Sequence, residues 1–123
     1  MAMIRQQRGR DAEKLAAAYL RHEGYRIEAA NVRFPAGELD LVAQDGATLC
    51  FVEVRSRADG RFGTAQESIT HLKRRRFLKA VQWYLQRRRP RWDGPVRFDV
   101  VAINDSGAAH PKPELIRHAF DAR

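Results

Sequence analysis

Residues 37–55 read GELDLVAQDGATLCFVEVR, two strand-like stretches joined by a turn. The dipeptide Asp45-Gly46 is a strong signal for a tight hairpin. Before it, Glu38 to Ala43 begins with the alternation of polar and apolar residues that is typical of a strand. After it, Thr48 to Arg55 is rich in β-branched and aromatic residues. The segment therefore predicts a β-hairpin on which the rest of the fold is built.

A helix and a strand are predicted before the hairpin. Between Arg10 and His22, apolar residues recur at the spacing that places them on one stripe of a helix. They are Ala12, Leu15, Ala16, Tyr19 and Leu20. Gly24 supplies the left-handed residue that commonly ends a helix. A strand then runs from Tyr25 to about Asn31 and reaches the hairpin through the turn Pro35-Ala36-Gly37.

A long helix is predicted after the hairpin, beyond a glycine-containing loop from Ala58 to Gly63. It runs from about Gln66 to Arg88, and Pro90 stops it. Its apolar residues fall close to one face, as expected for a helix that packs on a sheet. They are Ile69, Leu72, Phe77, Val81, Tyr84 and Leu85.

One more strand and an irregular tail complete the chain. Val96 to Ile103 alternates and then becomes wholly apolar, which is typical of a buried strand. Asp105 to Pro113 is expected to be a loop, and Glu114 to Arg117 is a candidate for a short edge strand. Without that candidate the order is α-β-β-β-α-β. This order predicts a single α/β domain, residues 1–123, with a mixed sheet flanked by helices.

Composition indicates a globular cytoplasmic protein. The chain has 123 residues, of which 44% are hydrophobic and 31% charged, enough for one continuous core. No stretch approaches the roughly 18 apolar residues of a membrane span, and the first residues lack the apolar core of a signal peptide. The single cysteine, Cys50, lies in an apolar run. A buried thiol is therefore expected, and an intramolecular disulfide is excluded.

The charge favours a polyanionic partner, because the net charge is +8 and the pI is near 10.5. Every charged residue from Lys73 to Arg91 is basic. We predict that this helix contacts nucleic acid, with a plain solvated face or an acidic protein partner as the alternatives. The sequence does not determine the oligomeric state, so a homodimer remains open.

The hairpin also carries a candidate metal site. Side chains two apart on a strand share a face, so Glu53 points with Arg55 and Glu38 with Asp40. In the natural register Asp40, Glu53 and Arg55 meet. Two adjacent carboxylates repel each other, and a divalent cation such as Mg²⁺, completed by water and phosphate, removes that repulsion. From spacing alone, a salt bridge such as Glu53 with Arg55 is the alternative.

Several motifs together resemble a known family. They are Gly9-Arg10 with Glu13 and Ala16, Gly37-Glu38-Leu39-Asp40-Leu41-Val42, Phe51-Val52-Glu53-Val54-Arg55-Ser56-Arg57, Phe62-Gly63, and Phe98-Asp99-Val100-Val101-Ala102. On these residues nearly the whole chain resembles the bacterial YraN family, which is related to PD-(D/E)-x-K nucleases and archaeal Holliday-junction resolvases. The resemblance implies a restriction-endonuclease-like fold and a DNA endonuclease that uses Mg²⁺ or Mn²⁺.

The resemblance also implies roles for individual residues. Asp40 matches the metal-binding aspartate of the nuclease motif, and Glu53 matches its second acid. Glu13 resembles the additional acidic metal ligand of the resolvase-like branch, with an exposed helix carboxylate as the alternative. Arg55 departs from the pattern, because the motif has lysine there and a guanidinium does not easily serve as a base. A catalytically weak or inactive module that binds DNA or RNA through the same basic face therefore remains open.

The expected nucleic-acid contacts lie on the basic helix and beside the motif. They are Arg57, Lys73, Arg74, Arg75, Arg76 and Lys79. Lys73 is also a candidate to supply the ammonium that position 55 lacks. Trp83 and Trp92 are candidates for stacking on bases, whereas Tyr84 fits the core stripe. Glu38 either supports the metal indirectly or pairs with an arginine.

Overall fold

The computed structural model describes residues 2–59, 61 and 63–121, and within them it has two α-helices and one five-stranded sheet. The elements in chain order are α1 (Ala2–His22), β1 (Arg26–Phe34), β2 (Gly37–Asp45), β3 (Thr48–Ser56), a 3₁₀ helix (Gln66–Ser68), α2 (His71–Arg88), β4 (Val96–Ile103) and β5 (Glu114–Ile116). The α/β class and the mixed sheet predicted from the sequence are therefore confirmed.

The sheet has the order β1-β2-β3-β4-β5. The β3–β4 pair is parallel and the other three pairs are antiparallel. The predicted hairpin is present, with Asp45 opposite Thr48 and Gly46 at a φ of 60°, which glycine adopts without steric cost. A parallel pair needs a long crossover, and α2 lies in the connection between β3 and β4.

The two helices pack against two separate apolar clusters of the sheet. The cluster at α2 includes Val42, Phe51, Phe77, Tyr84 and Phe98. The cluster at α1 includes Ala16, Leu20, Leu41, Val52 and Val101. Successive residues of β3 alternate between the clusters, so β3 is apolar on both faces and lies at the centre of the core. Cys50 is buried in the α1 cluster, as predicted.

Several element boundaries differ from the predicted ones. The predicted order lacked a fifth strand, whereas Glu114–Ile116 pairs with β4 and forms the short edge strand that was only a candidate. Helix α1 begins at Ala2 rather than near Arg10, because Arg5 to Arg10 include no apolar side chain and so give no apolar period to detect. Strand β1 continues to Phe34 rather than ending near Asn31.

The start of α2 is the largest correction. The helix begins at His71 rather than Gln66, because Thr70 is extended and its hydroxyl accepts a hydrogen bond from the Lys73 backbone N–H at 3.2 Å. Leu72, which the apolar spacing predicts on the core stripe, is instead 50% exposed. It precedes Phe77 by five residues, which turns it about 140° away from the buried face of an ideal helix.

Neither helix, within the described residues, combines the length and the apolar character needed to cross a membrane.

Candidate functional site

The hairpin register brings Asp40 and Glu53 together. Leu41 of β2 pairs with Val52 of β3, so the preceding Asp40 and the following Glu53 occupy neighbouring positions on the two strands. The Asp40 Oδ2 atom accepts a hydrogen bond from the Val54 backbone N–H at 2.9 Å, which fixes that carboxylate against β3.

Arg55 joins this pair on the same side of β3. Its Nη2 atom donates to Glu53 Oε1 at 2.5 Å, and the two side chains are 25% and 12% exposed. The Glu53–Arg55 salt bridge that the spacing allows is therefore present, beside the carboxylate pair. The Nε atom of Arg55 is buried, and no hydrogen-bond partner for it lies among the described residues.

The environment of the pair disfavours the ionisation of both carboxyl groups at once. Burial, followed by the charge of Glu53, raises the pKa of Asp40 to about 8, and the Val54 N–H only partly offsets this. Burial also raises the pKa of Glu53, with Arg55 as the largest opposing influence. Without a cation the two carboxylates therefore hold a proton near neutral pH. A divalent ion that binds here must displace that proton.

Asn31, which sequence reasoning missed, shapes the position of Asp40. It has a φ of 53°, unusual for a residue other than glycine, and it lies opposite Asp40, between the Ala30–Leu41 and Val32–Leu39 pairs. Leu39 and Leu41 consequently pack in different clusters although they are two residues apart. Strand β2 thus turns at Asp40. The only sequence signal is that asparagine tolerates this conformation better than most residues.

Glu13 on α1 lies near Asp40 but apart from the pair. Burial and then the charge of Asp40 raise the pKa of Glu13, and its Oε2 atom is buried without a hydrogen-bond partner among the described residues. Among the residues that the structure describes, no three Asp, Glu, His or Cys side chains lie close enough together to hold a metal ion. The structure therefore assembles Asp40 with Glu53 and does not bring Glu13 into the same cluster.

A cleft of about 530 Å³ opens over the carboxylate pair. Asp40, Glu53 and Arg55 contribute to its lining, together with Lys73 and Arg76 of α2. The positive charge of Arg55, and then burial, lower the pKa of Lys73, whose Nζ atom donates to the Ser68 carbonyl at 3.1 Å. An acidic floor is thus bordered by cationic side chains.

Gly37 allows α2 to approach this cleft. A Cβ atom at position 37 would lie 2.8 Å from the carbonyl oxygen of Arg76. The glycine that opens β2 is therefore required by close packing rather than by an unusual φ. Glu38 follows it and forms an exposed pair with Arg33 at 3.5 Å, which is the arginine pairing considered for Glu38 from the sequence.

The predicted nucleic-acid contacts separate into two groups. Lys73, Arg75, Arg76 and Lys79 are exposed on α2. Arg74 is half-buried, and its guanidinium lies 5.3 Å from the centre of the Phe120 ring, so it packs against the C-terminal segment. Arg57 is also half-buried, with its Nε atom enclosed and unpartnered among the described residues.

Comparison with known sequences identifies the family. The sequence model of "Uncharacterised protein family UPF0102" matches residues 12–103. The chain belongs to the UPF0102 family. This match confirms the resemblance predicted from the motifs, and it spans Glu13, Asp40, Glu53, Arg55 and α2.

Relatives in the UPF0102 family align with nearly the full chain. A UPF0102 protein of Symbiobacterium thermophilum is 44% identical over 114 residues, which cover 93% of this chain and 96% of the relative. One from Pseudomonas aeruginosa is 45% identical over 117 residues, covering 94% and 93%. One from Desulfosudis oleivorans is 42% identical over 118 residues, covering 96% and 93%. The sequence is therefore similar to those of these bacterial proteins along almost its whole length.

The aromatic residues considered for base stacking have different environments. Tyr84 is 2% exposed, and its hydroxyl donates to Glu28 Oε2 at 2.6 Å, so its predicted place in the core is confirmed. The indole N–H of Trp92 donates to the Pro95 carbonyl at 3.3 Å, and its ring packs against the core. Trp83 lies beside the cleft instead, with its ring centre 3.9 Å from that of Phe34.

Proposed function

We propose that this protein binds DNA in the cytoplasm and cleaves it as an endonuclease that depends on Mg²⁺ or Mn²⁺. The observation that carries the proposal is the Asp40–Glu53 pair at the floor of a cleft bordered by Arg55, Lys73 and Arg76. A mixed sheet with helices against both faces and acids on adjacent central strands is consistent with the restriction-endonuclease-like fold that the motifs imply.

The two carboxylates have the chemistry of a magnesium or manganese site. Such ions prefer oxygen ligands and are often held by one or two carboxylates, with water and substrate phosphate completing the shell. Asp40 and Glu53 would hold the ion, and its charge would offset the burial and the repulsion by Glu53 that raise the pKa of Asp40. When bound, the ion supplies neutralisation of phosphate charge and activation of water.

The protein's own residues orient the reacting groups. The Val54 N–H holds Asp40 at 2.9 Å, so this carboxylate needs no rearrangement to face the cleft. Arg55 donates to Glu53 through Nη2, and although its Nε atom is buried, the guanidinium has further Nη donors that would bind a phosphate oxygen. Lys73 brings a second cation from α2, and its lowered pKa makes it easier to deprotonate than an ordinary lysine. Because Lys73 lines the cleft, its amino group would take the place of the lysine that the nuclease motif has at position 55.

A second candidate function is a DNA- or RNA-binding module without catalysis. The observation in its favour is the 2.5 Å contact between Arg55 and Glu53, because a paired Glu53 is already neutralised and has less need of a metal ion. In that case the cleft binds phosphate through Arg55 and the exposed cations of α2, with the same salt dependence as the nuclease.

Cleavage of labelled DNA distinguishes the two functions. Linear duplex and four-way-junction substrates are incubated with Mn²⁺ and with the parent protein, Asp40→Asn or Glu53→Gln. The proposal predicts metal-dependent cutting by the parent and loss of at least about 100-fold in each variant, as for other removed catalytic groups. Binding without cutting by the parent on every substrate would support the binding module.

A further inference from the structure

An aromatic step lies next to the cleft, where β1 meets α2. We define it as Phe34, Trp83 and Arg87. Phe34 lines the same cleft as the carboxylate pair, and its ring stacks on Trp83 with a centroid distance of 3.9 Å and a tilt of 36°. The Arg87 guanidinium lies 5.0 Å from the centre of the Trp83 ring. The step therefore extends from the wall of the cleft onto the outer surface of α2.

Core packing does not account for Trp83. The core-facing residues of α2 are Phe77, Ala80, Val81 and Tyr84. Trp83 lies between them in sequence and is half-buried, packed on Phe34 at the margin of the α2 cluster. Trp92, by contrast, packs against the core cluster and uses its indole N–H on the Pro95 carbonyl.

The surroundings of the step are cationic. Arg76, Trp83 and Arg87 differ by seven and four residues, so they lie on one side of the helix. Arg76 lines the cleft, and Trp83 lies about 10 Å farther along the helix axis, given the rise of about 1.5 Å per residue. A strand whose phosphate sits in the cleft would follow these cations towards the Trp83 ring.

We propose that the aromatic step stacks on an unpaired base, so that the preferred substrate is DNA with a single-stranded segment beside the bound phosphate. This inference rests on the proposed function and adds a substrate class to it. Bases inside a duplex are already stacked on both faces, whereas an unpaired base has a free face for an aromatic ring. The flanking arginines attract the backbone of the same strand.

Arg87 is the exposed part of the step. A guanidinium over a ring at an exposed site is held more weakly than a stacked base. We therefore expect an incoming base to take the place of the guanidinium on Trp83. Arg87 then turns to a phosphate, where its planar donors bind an anion directly.

An abasic tail isolates stacking from phosphate attraction. Two duplexes with single-stranded tails of equal length are compared in EDTA, one tail carrying bases and the other abasic. The parent should bind the base-containing tail about 5- to 100-fold more tightly, the range expected for stacking on one or two bases. Trp83→Ala and Trp83→Leu should lose this preference. Gln82→Ala, at an exposed neighbouring position of α2, should keep it.

Tryptophan fluorescence gives a second measurement, in a variant that keeps all three residues of the aromatic step. The chain has two tryptophans, so Trp92→Phe leaves Trp83 as the only one. Its emission should be quenched by the base-containing tail and not by the abasic tail. Equal affinity for both tails without quenching would overturn the stacking inference and leave the nuclease proposal standing. No binding to either tail would overturn both.

Discussion

Asp40 lies opposite the left-handed Asn31 of β1, and across the hairpin it is a neighbour of Glu53. Its raised pKa has a consequence for stability. A carboxyl group whose pKa is higher in the folded than in the unfolded protein stabilises the fold below its unfolded pKa, which is near 3.8 here. That contribution is lost as pH rises through about 8.

We therefore expect Asp40→Asn to stabilise the metal-free protein increasingly between pH 5 and pH 8. Asparagine keeps an oxygen for the Val54 N–H and cannot ionise, so at pH 8 the variant should melt a few degrees higher, on the scale of about 1 kcal/mol. Thermal melts in EDTA measure the difference. Asp59→Asn, in an exposed loop pair with Arg61, is the control and should show no such trend. A lower melting temperature for Asp40→Asn at pH 8 would mean that Asp40 stabilises the fold through a partner.

Arg55 is the residue at which this chain departs from the nuclease motif. If the guanidinium limits an otherwise competent site, Arg55→Lys should raise Mn²⁺-dependent cleavage by about 10- to 100-fold, because a smaller ammonium can approach the reacting water and phosphate. Initial rates on the best substrate provide the measurement, with Asp40→Asn as the contamination control. A binding site without catalysis predicts the reverse: no activity, and DNA affinity reduced by about 1 kcal/mol as bidentate contact is lost.

At the scale of elements, the cleft depends on how closely α2 approaches β2. Gly37→Ala would place a Cβ atom 2.8 Å from the Arg76 carbonyl oxygen, where backbone atoms must move. We expect a loss of about 1–3 kcal/mol in the free energy of unfolding, as for other overpacked sites. Gly9→Ala on α1 is the matched control, because its Cβ would meet nothing within 4 Å. Chemical denaturation measures both, and equal stability of the two variants would contradict the packing argument.

The sequence predicts elements that have strong local signals. The Asp45-Gly46 hairpin, the buried β4 and the neighbouring acids of β2 and β3 follow from turn chemistry and side-chain period. The turn of β2 at Asp40 does not, because it depends on the left-handed Asn31 of another strand. The separation of Glu13 from the acid pair was equally hidden, since it depends on how α1 packs across the sheet.

The exposed cations of α2 carry a second prediction at the element scale. DNA affinity should fall with salt, with a log–log slope of about −0.9 per phosphate neutralised. Replacing Lys73, Arg76 and Lys79 by alanine should flatten that slope. Arg74 is left in place because it packs on Phe120.

The control for this prediction removes equal charge from the opposite layer. Its alanine substitutions are at Arg10, Lys14 and Arg21 of α1. Filter binding at several salt concentrations compares the two triple variants. If the salt dependence of DNA affinity falls as much in the α1 variant as in the α2 variant, the attraction comes from net charge and not from the face beside the cleft.

In the molecule as a whole, two buried acidic centres differ in the number of hydrogen-bond donors that their carboxylate oxygens meet. Asp99 is 0% exposed, and its oxygens accept hydrogen bonds from Arg97, the Tyr25 hydroxyl and the His118 backbone N–H. This network joins β4 to the start of β1 and to the tail, and it serves the fold. The Asp40–Glu53 pair has fewer donors than acceptor sites and faces a cleft. Unmatched charge of this kind is concentrated at functional sites.

Anomalous scattering from a crystal soaked in Mn²⁺ would show whether Asp40 and Glu53 hold a divalent ion. We predict a peak between the two carboxylates with metal–oxygen distances of about 2.0–2.3 Å, and the Asp40→Asn crystal should lack it. A saturated crystal without a peak there, with Arg55 still bound to Glu53, would mean that the two carboxylates do not form a metal site.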